Sequence, residues 1–163
     1  NRQNKVICAI YVSFLNNGTW TEPVSLGTEV NDPKYTSTQP AIGLNTQKKG
    51  EEIIYFVSDR EGGKGGYDIW YTSFDNRNKS YRTPINLGTK INTSGDEVTP
   101  YVDAQTQTFY FSSDGWQGLG GLDIFKSIGG MKKWTHLSNW VILLIPIMMI
   151  CIMCFHQVTK TLA

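Results

Sequence analysis

The stretch "SDREGGKGGYDIW" at residues 58–70 has a close relative in the same chain, "SSDGWQGLGGLDIF" at residues 112–125. In both, a Ser-Asp pair leads into a glycine-rich loop, and the loop leads into Asp, Ile and an aromatic residue. Glycine permits tight chain reversals, whereas isoleucine and aromatic residues favour strands. The sequence therefore predicts the same strand, turn and strand twice.

The similarity belongs to a longer internal repeat. The segment "WTEPVSLGTEVN" at 20–31 corresponds to "YRTPINLGTKIN" at 81–92, which lies 61 positions later. The segment "IIYFVSD" at 53–59 corresponds to "TFYFSSD" at 108–114, which lies 55 positions later. The six-residue difference falls near residues 48–50, where Lys-Lys-Gly suggests a loop. Insertions confined to loops are what a structural repeat predicts.

Each repeat contains four short strand-like runs bounded by turn residues. In the central repeat we predict strands near 39–43, 52–58, 67–74 and 80–87. Four antiparallel strands per repeat of this length are typical of a β-propeller blade. We therefore expect an all-β fold made of β-propeller blades, each a four-stranded antiparallel sheet.

The repeat divides the chain into parts of a propeller. We expect the chain to be a segment of a longer protein, because closure of a propeller needs about four to eight blades. An incomplete segment leaves strand edges open, which predicts marginal stability or aggregation without the missing blades. The predicted parts are the end of a preceding blade (1–31), a complete blade (32–92), a partial following blade (93–135) and an apolar tail (136–163).

The order of the motifs resembles a known family. The series "Q-P-A", "I-Y-F-x-S-D", "G-G-x-D-I-W/F" and "W-x-x-P-x-x-L-G-x-x-I/V-N" is similar to the TolB-type, WD-repeat-like β-propeller repeat, over about residues 9–135. The resemblance is narrower to cell-envelope proteins of Bacteroidetes-type bacteria. There such blades often accompany tetratricopeptide repeats and an OmpA-like peptidoglycan-binding domain, and some members belong to the type IX secretion machinery.

This resemblance implies a function and a location. It implies a non-enzymatic scaffold in the periplasm, associated with the outer membrane, whose partners are envelope proteins or peptidoglycan-associated assemblies. Two alternatives stay open, a glycan-binding propeller module and the propeller domain of a larger hydrolase. The formal charge of +1, with no basic cluster, gives no footprint for nucleic acid.

The repeated loop residues are predicted to be structural. We expect Asp68 to bond loop amides where the next strand begins, with Ile69 and Trp70 on opposite faces of that strand. The residues assigned to this motif are Asp59, Gly65, Gly66 and Asp68, with their counterparts Asp114, Gly120, Gly121 and Asp123.

A search for catalytic chemistry finds no candidate. The chain up to Thr135 has no histidine, which excludes a Ser-His-Asp triad, a Cys-His pair and a histidine-based zinc site from that part. The acidic pairs Glu51-Glu52 and Asp96-Glu97 are neighbours in sequence, so their side chains point to opposite faces of a strand. We assign the second pair to a blade corner, and we predict no catalytic residue, metal or cofactor.

A binding surface is the functional hypothesis that the residues allow. Trp116, Tyr67, Arg60 and Lys64 are predicted on the loops between the second and third strands, which gather on one face of a propeller. Aromatic residues there can stack on a sugar ring or anchor a protein partner. The alternative is that Trp116 packs on the glycines of its own loop.

The composition of the tail, residues 136–163, differs from that of the rest of the chain. The segment "WVILLIPIMMICIMCF" at 140–155 is a transmembrane candidate at the short end of the length that spans a bilayer. A single-pass anchor, and with it membrane contact, follows if this segment is genuine. The other interpretation, which we favour, is translation in a shifted reading frame after Thr135, where the third repeat breaks off.

The genetic code supports the shifted frame. If each codon starts at the third base of the one written, residues 139–141 (AAY TGG GTN) give Leu-Gly whatever synonymous codons are used. Residues 148–150 (ATG ATG ATH) likewise give Asp-Asp. The first of these aspartates follows the leucine by nine positions, the spacing of Leu87 and Asp96. Resequencing the DNA across this region distinguishes the two interpretations.

Overall fold

The computed structural model describes residues 6–44, 51–131, 133–135 and 137–139. These residues form short β-strands joined by turns, and none of them lies in a helix. The predicted all-β class is therefore confirmed. No helix in the described part of the chain is long and apolar enough to cross a membrane. The apolar segment 140–155 lies outside the described residues, so both interpretations of it stay predictions.

The strands fall into three successive units that correspond to the sequence repeats. The first unit contains β1 (Tyr11–Val12), β2 (Leu15–Asn16), β3 (Thr19–Trp20) and β4 (Val24–Ser25). The second contains β5 (Ser37–Leu44), β6 (Glu52–Ser58), β7 (Asp68–Asp75), β8 (Ser80–Tyr81) and β9 (Ile85–Asn86). The third contains β10 (Glu97–Asp103), β11 (Thr108–Ser113), β12 (Asp123–Gly130), β13 (Lys133–Trp134) and β14 (Ser138–Asn139).

Each of the two larger units is an antiparallel sheet. β5, β6 and β7 pair in order, and β8 and β9 both pair with β7. The strand predicted over 80–87 is thus interrupted, because Pro84 lies in the gap and has no N–H for the ladder. β10 to β14 repeat this order, and the pairing of β14 with β12 lies beyond the predicted end of the third unit at 135. The described sheets do not close into a barrel or a ring.

The pairing register is the same in all three units. A shift of one residue would turn every side chain of a strand to the other face. An equal register therefore means that corresponding residues of the three units have the same backbone pairing. The corresponding pairs are Tyr11 with Ser25, Trp70 with Asn86 and Phe125 with Asn139.

The units stack face to face, so the second sheet is buried on both sides. Ile53 and Tyr55 pack toward the third unit, and Phe56, the next residue, packs toward the first. On β7, Ile69 belongs to the core shared with the third unit, and Trp70 belongs to the core shared with the first. The prediction that Ile69 and Trp70 lie on opposite faces is confirmed.

We call the contact between the first and second units the first junction, and that between the second and third units the second junction. The second junction has the larger core. Buried residues of the first-junction core are Ile10, Leu26, Val30, Phe56 and Trp70. Those of the second-junction core are Ile53, Tyr55, Val57, Ile69, Tyr71, Leu87, Ile91, Phe109, Phe111, Phe125 and Trp134.

The second junction brings β5 and β10 into close contact. A Cβ added to Gly43 would lie 2.8 Å from the Tyr55 ring and 3.4 Å from the side chain of Val102. Both strands also carry a bulge at an X-Pro pair, where Gln39 and Thr99 have φ angles of 49° and 52°. The Gln39 side chain reaches across, and its Oε1 accepts a hydrogen bond of 2.8 Å from the Thr99 N–H.

A repeated clasp ties each "L-G-x-x-I/V-N" segment to the neighbouring strand. Asn92 Nδ2 donates to the Ile69 carbonyl at 2.9 Å, and Asn92 Oδ1 accepts from the Ile69 N–H at 3.0 Å. Asn31 makes the same two bonds with Ile10, both 2.8 Å long. The turn before the asparagine needs glycine, because Gly88 has a φ of 77°. The motif therefore closes the first and second units structurally.

Candidate functional site

The glycine-rich loops emerge at one edge of the stacked sheets. Loop 59–67 joins β6 to β7, and loop 114–122 joins β11 to β12. The connectors 26–36 and 87–96, which lead from one unit to the next, lie at the same edge, because the antiparallel sheets share one register. We call these four segments the loop face. All four residues predicted to bind a ligand lie on it.

Aspartate side chains organise each glycine-rich loop from within. Asp68 is buried and accepts hydrogen bonds from the Lys64 N–H, from the Gly65 N–H at 3.2 Å and from Asn86 Nδ2 at 2.9 Å. In the third unit, Asp123 Oδ2 accepts hydrogen bonds from two loop N–H groups, at 2.8 and 3.1 Å. Hydrogen bonds to a charged acceptor are stronger than neutral ones, so these carboxylates hold the loop backbone in place.

The aspartates that follow β6 and β11 hold the connector beside each loop. Asp59 Oδ1 accepts a hydrogen bond of 2.8 Å from the Thr36 N–H. Asp114 Oδ1 accepts one of 2.7 Å from the Asp96 N–H, and the Asp114 N–H donates to the Asp96 carbonyl at 3.3 Å. The bonds from the Thr36 N–H to Asp59 and from the Asp96 N–H to Asp114 occupy corresponding positions, so loop and connector are joined in the same way in both units.

Arg60 spans the first junction. Its guanidinium donates to the carbonyl oxygens of Glu29 at 3.0 Å and Val30 at 2.6 Å. It also lies 4.9 Å from the ring centroid of Phe56 and 5.5 Å from that of Trp70. Burial lowers the pKa of the guanidinium, while nearby acidic side chains raise it, and an arginine stays protonated in either case. These contacts pack Arg60 between the first and second units.

Trp116 lies half-buried against the core of the second junction. Its Nε1 donates a hydrogen bond of 2.8 Å to the Ile91 carbonyl. Ile91 corresponds to Val30 in the repeat, so Trp116 and Arg60 bond the same backbone oxygen at the two junctions with different chemical groups. The indole is engaged within the chain, which reduces the surface it can offer to a sugar ring.

The other two predicted binding residues differ in exposure. Tyr67 is half-buried, its N–H donates to Asp96 Oδ1 at 2.8 Å, and its carbonyl accepts from the Glu97 N–H at 2.7 Å. Lys64 is exposed. The structure does not gather the four residues at one point, because Arg60 lies at the first junction and both aromatic residues lie at the second.

Glu97 is a buried carboxyl group whose role the sequence did not reveal. Its oxygens accept hydrogen bonds from the Thr93 N–H at 2.7 Å, from Thr93 Oγ1 at 2.6 Å and from Ser113 Oγ at 2.6 Å. Burial raises the pKa of Glu97 above its ordinary value, the hydrogen bonds oppose that shift, and the charge of Asp68 adds to it. Ser37 holds the corresponding position in the second unit, so no repeat signal marks this acid.

The chemistry that the loop face offers is exposed backbone with a few charged side chains. Among the residues that the structure describes, no three His, Cys, Asp or Glu side chains are grouped so as to hold a metal ion. Cys8 is an exposed free thiol. His136 and His156 lie outside the described residues.

Comparison of the chain with models of protein families, with curated proteins and with solved structures finds no match.

Proposed function

We propose that the three units are β-propeller blades and that the chain is a non-enzymatic interaction scaffold of the bacterial cell envelope. Two features support the blades. Each larger unit is an antiparallel sheet whose fourth strand is divided in two, into β8 and β9 in the second unit and into β13 and β14 in the third. Successive units also stack face to face in one orientation. The envelope location, periplasmic and associated with the outer membrane, follows from the family resemblance in the sequence.

The observation that carries the scaffold function is the set of hydrogen bonds that holds the loop face. Each glycine-rich loop is bonded internally by an aspartate and externally to a connector. Loops held in this way present a fixed surface, which lowers the entropy lost when a partner binds. Lys64 and Glu61 are exposed at its rim.

A protein partner fits this face better than a glycan. A sugar ring is bound by stacking on an exposed aromatic side chain. Trp116 and Tyr67 are instead packed against the core of the second junction, and the Trp116 Nε1 already has an acceptor. We therefore assign the face to envelope proteins or peptidoglycan-associated assemblies rather than to polysaccharide.

Site-specific photo-crosslinking tests this proposal. The full chain would be exported to the periplasm of a bacterium with an outer membrane, with a photoreactive amino acid at Lys64 on the loop face. The matched control carries it at Gln105, an exposed turn residue at the opposite edge of the third sheet. We expect discrete adducts with envelope proteins from position 64 and none from position 105.

Either of two results would overturn the scaffold proposal. One is the absence of adducts from position 64 although the chain is folded in the periplasm. The other is the same set of adducts from both positions, since that would show contact without a preferred face.

A further inference from the structure

The two glycine-rich loops have corresponding sequences and different surroundings. In the second unit, the connector to the third unit lies along the loop. The Gly66 N–H donates to the Gly95 carbonyl at 3.2 Å. The Tyr67 N–H and carbonyl bond Asp96 Oδ1 and the Glu97 N–H, at 2.8 and 2.7 Å. The loop therefore binds a short extended segment of sequence Gly-Asp-Glu.

The glycines of this loop are in contact with that segment. A Cβ added to Gly65 would lie 1.9 Å from the Gly95 carbonyl oxygen, and one added to Gly66 would lie 2.3 Å from Asp96 Oδ1. Real Cβ atoms do not approach other atoms so closely. The two glycines thus leave room for the connector, and we call residues 65–67 the seat of the connector.

In the part of the chain that the structure describes, nothing occupies the corresponding position in the third unit. Gly120 and Gly121 correspond to Gly65 and Gly66, and a Cβ added to either would meet nothing within 4 Å. Leu122 corresponds to Tyr67 and is 57% exposed. Among the described residues, none bonds the N–H of Gly121 or the N–H and carbonyl of Leu122.

The sheet beside this seat carries a positive charge on its outer face. Lys126 pairs with Tyr110 in the register, so it shares the face directed away from the second unit. The corresponding residue of the second unit is Tyr71, which is buried by the third unit. A positive charge on this face favours an acidic partner over a basic one.

We infer that residues 120–122 are a docking site for the connector of a following repeat unit, bound through a small residue followed by an acidic one. The inference rests on the proposed propeller and names its next contact. The occupant follows from the second unit, where Gly95 and Asp96 fill the same seat. The shifted reading frame over codons 139–150 encodes Leu-Gly and, nine positions after the leucine, Asp-Asp, which is the spacing of Leu87 and Asp96.

A peptide added in trans tests this site. The probe is the synthetic peptide NTSGDEVTPYV, residues 92–102, added to the full chain, with binding followed by fluorescence anisotropy and located by hydrogen exchange. We expect slower exchange over residues 119–123. Replacing Asp96 by Asn in the peptide should weaken binding roughly tenfold, because the charged acceptor for the Leu122 N–H is lost.

Two chain variants make the test specific. Gly120→Ala leaves the free chain undisturbed, since the site around its Cβ is empty, and should abolish peptide binding by clashing with the peptide carbonyl. Leu119→Ala, in the same loop and at an exposed position, should leave binding unchanged.

Four results would overturn the inference. The first is the absence of peptide binding, and the second is equal binding to the Gly120→Ala chain. The third is slower hydrogen exchange at residues 65–67, which would mean that the peptide replaces the chain's own connector there. The fourth is dimerisation of the chain through residues 120–122 without affinity for the peptide. Crosslinks at Lys64 are independent of this assay. If they persist when the peptide fails, the scaffold proposal stands and only the docking site is lost.

Discussion

The two junctions connect similar sheets through different contacts. At the first, the Arg60 guanidinium bonds the Val30 carbonyl and covers two aromatic rings. At the second, Trp116 bonds the corresponding carbonyl of Ile91, and a glycine loop locks onto the next connector. At both junctions the corresponding backbone carbonyl oxygen accepts a hydrogen bond from a side chain. The residue type that donates this bond differs between the two junctions.

The difference has an energetic consequence. In a repeat protein, stability is approximately the sum of the stabilities of the units and the interactions between neighbours. The second junction buries the larger core. In that core the centroid of the Phe109 ring lies 5.1 Å from that of Tyr55 and 4.9 Å from that of Trp134. The first unit offers only two-residue strands, and its Tyr11 and Trp20 are 59% and 44% exposed. We therefore expect the second junction to contribute most of the stability.

The strongest test of this comparison is Gly65→Ala. The new Cβ would lie 1.9 Å from a backbone oxygen that cannot rotate away, so the connector must leave its seat. We expect a loss of about 3 kcal/mol in the free energy of unfolding, at the upper end of typical overpacking costs. Urea denaturation followed by tryptophan fluorescence measures it.

Gly120→Ala is the matched control for that variant. The chemical change is identical, and among the described residues the site around Gly120 has room for it, so the free energy of unfolding should change by less than about 0.5 kcal/mol. Equal losses in the two variants would show that the second-unit loop is not locked to its neighbour, and the comparison of seats would fail.

The asparagine clasps give a smaller contrast. Asn92→Ala leaves a buried N–H and carbonyl of Ile69 without their partners, and should cost about 2–3 kcal/mol. Asn31→Ala removes the same bonds from Ile10 at a partly exposed site, where water can replace them, and should cost about 1 kcal/mol. Thermal or urea unfolding of both variants checks the order. A larger loss for Asn31→Ala would place the greater stability in the first junction.

The sequence predicted what the repeats have in common. The turn glycines, the Asp-Ile-aromatic strand and the alternation of Ile69 and Trp70 recur at fixed positions, so comparing one unit with the next exposes them. The sequence does not predict the interruption at Pro84, because strand-forming residues (Tyr81, Thr83 and Ile85) lie on both sides of it. A missing N–H is a backbone property that hydrophobic pattern does not report.

The sequence repeat does not predict the contacts between units. Arg60 corresponds to Gly115, and Ser37 corresponds to Glu97, so the residues that fasten the junctions differ from unit to unit. Two side chains that meet only when separate sheets stack leave no periodic trace in a single sequence. For the same reason, the sequence did not predict that Trp116 and Arg60 bond across the junctions, and their predicted role in binding a ligand stays a prediction.

Glu97 allows the finest comparison of the two units, because the second unit has a serine in its place. Burial raises the pKa of Glu97 in the folded chain above its ordinary value. Between that ordinary value, about 4.3, and the raised one, the folded state binds more protons than the unfolded state, so this group's contribution to stability falls as pH rises. The contribution is complete below the ordinary pKa and is lost above the raised one.

Glu97→Gln removes this titration. We expect the free energy of unfolding of the native chain to fall relative to that of Glu97→Gln as pH rises above about 4, and the difference to level off once the raised pKa is passed. Urea denaturation across this range measures the difference, with Glu61→Gln, the same chemical change at an exposed acid of the same face, as the matched control. A difference that grows in favour of the native chain with rising pH would mean that the hydrogen bonds from Thr93 and Ser113 outweigh burial. Glu97 would then stabilise the third unit as a carboxylate, and the second junction would gain strength, not lose it, as the carboxyl ionises.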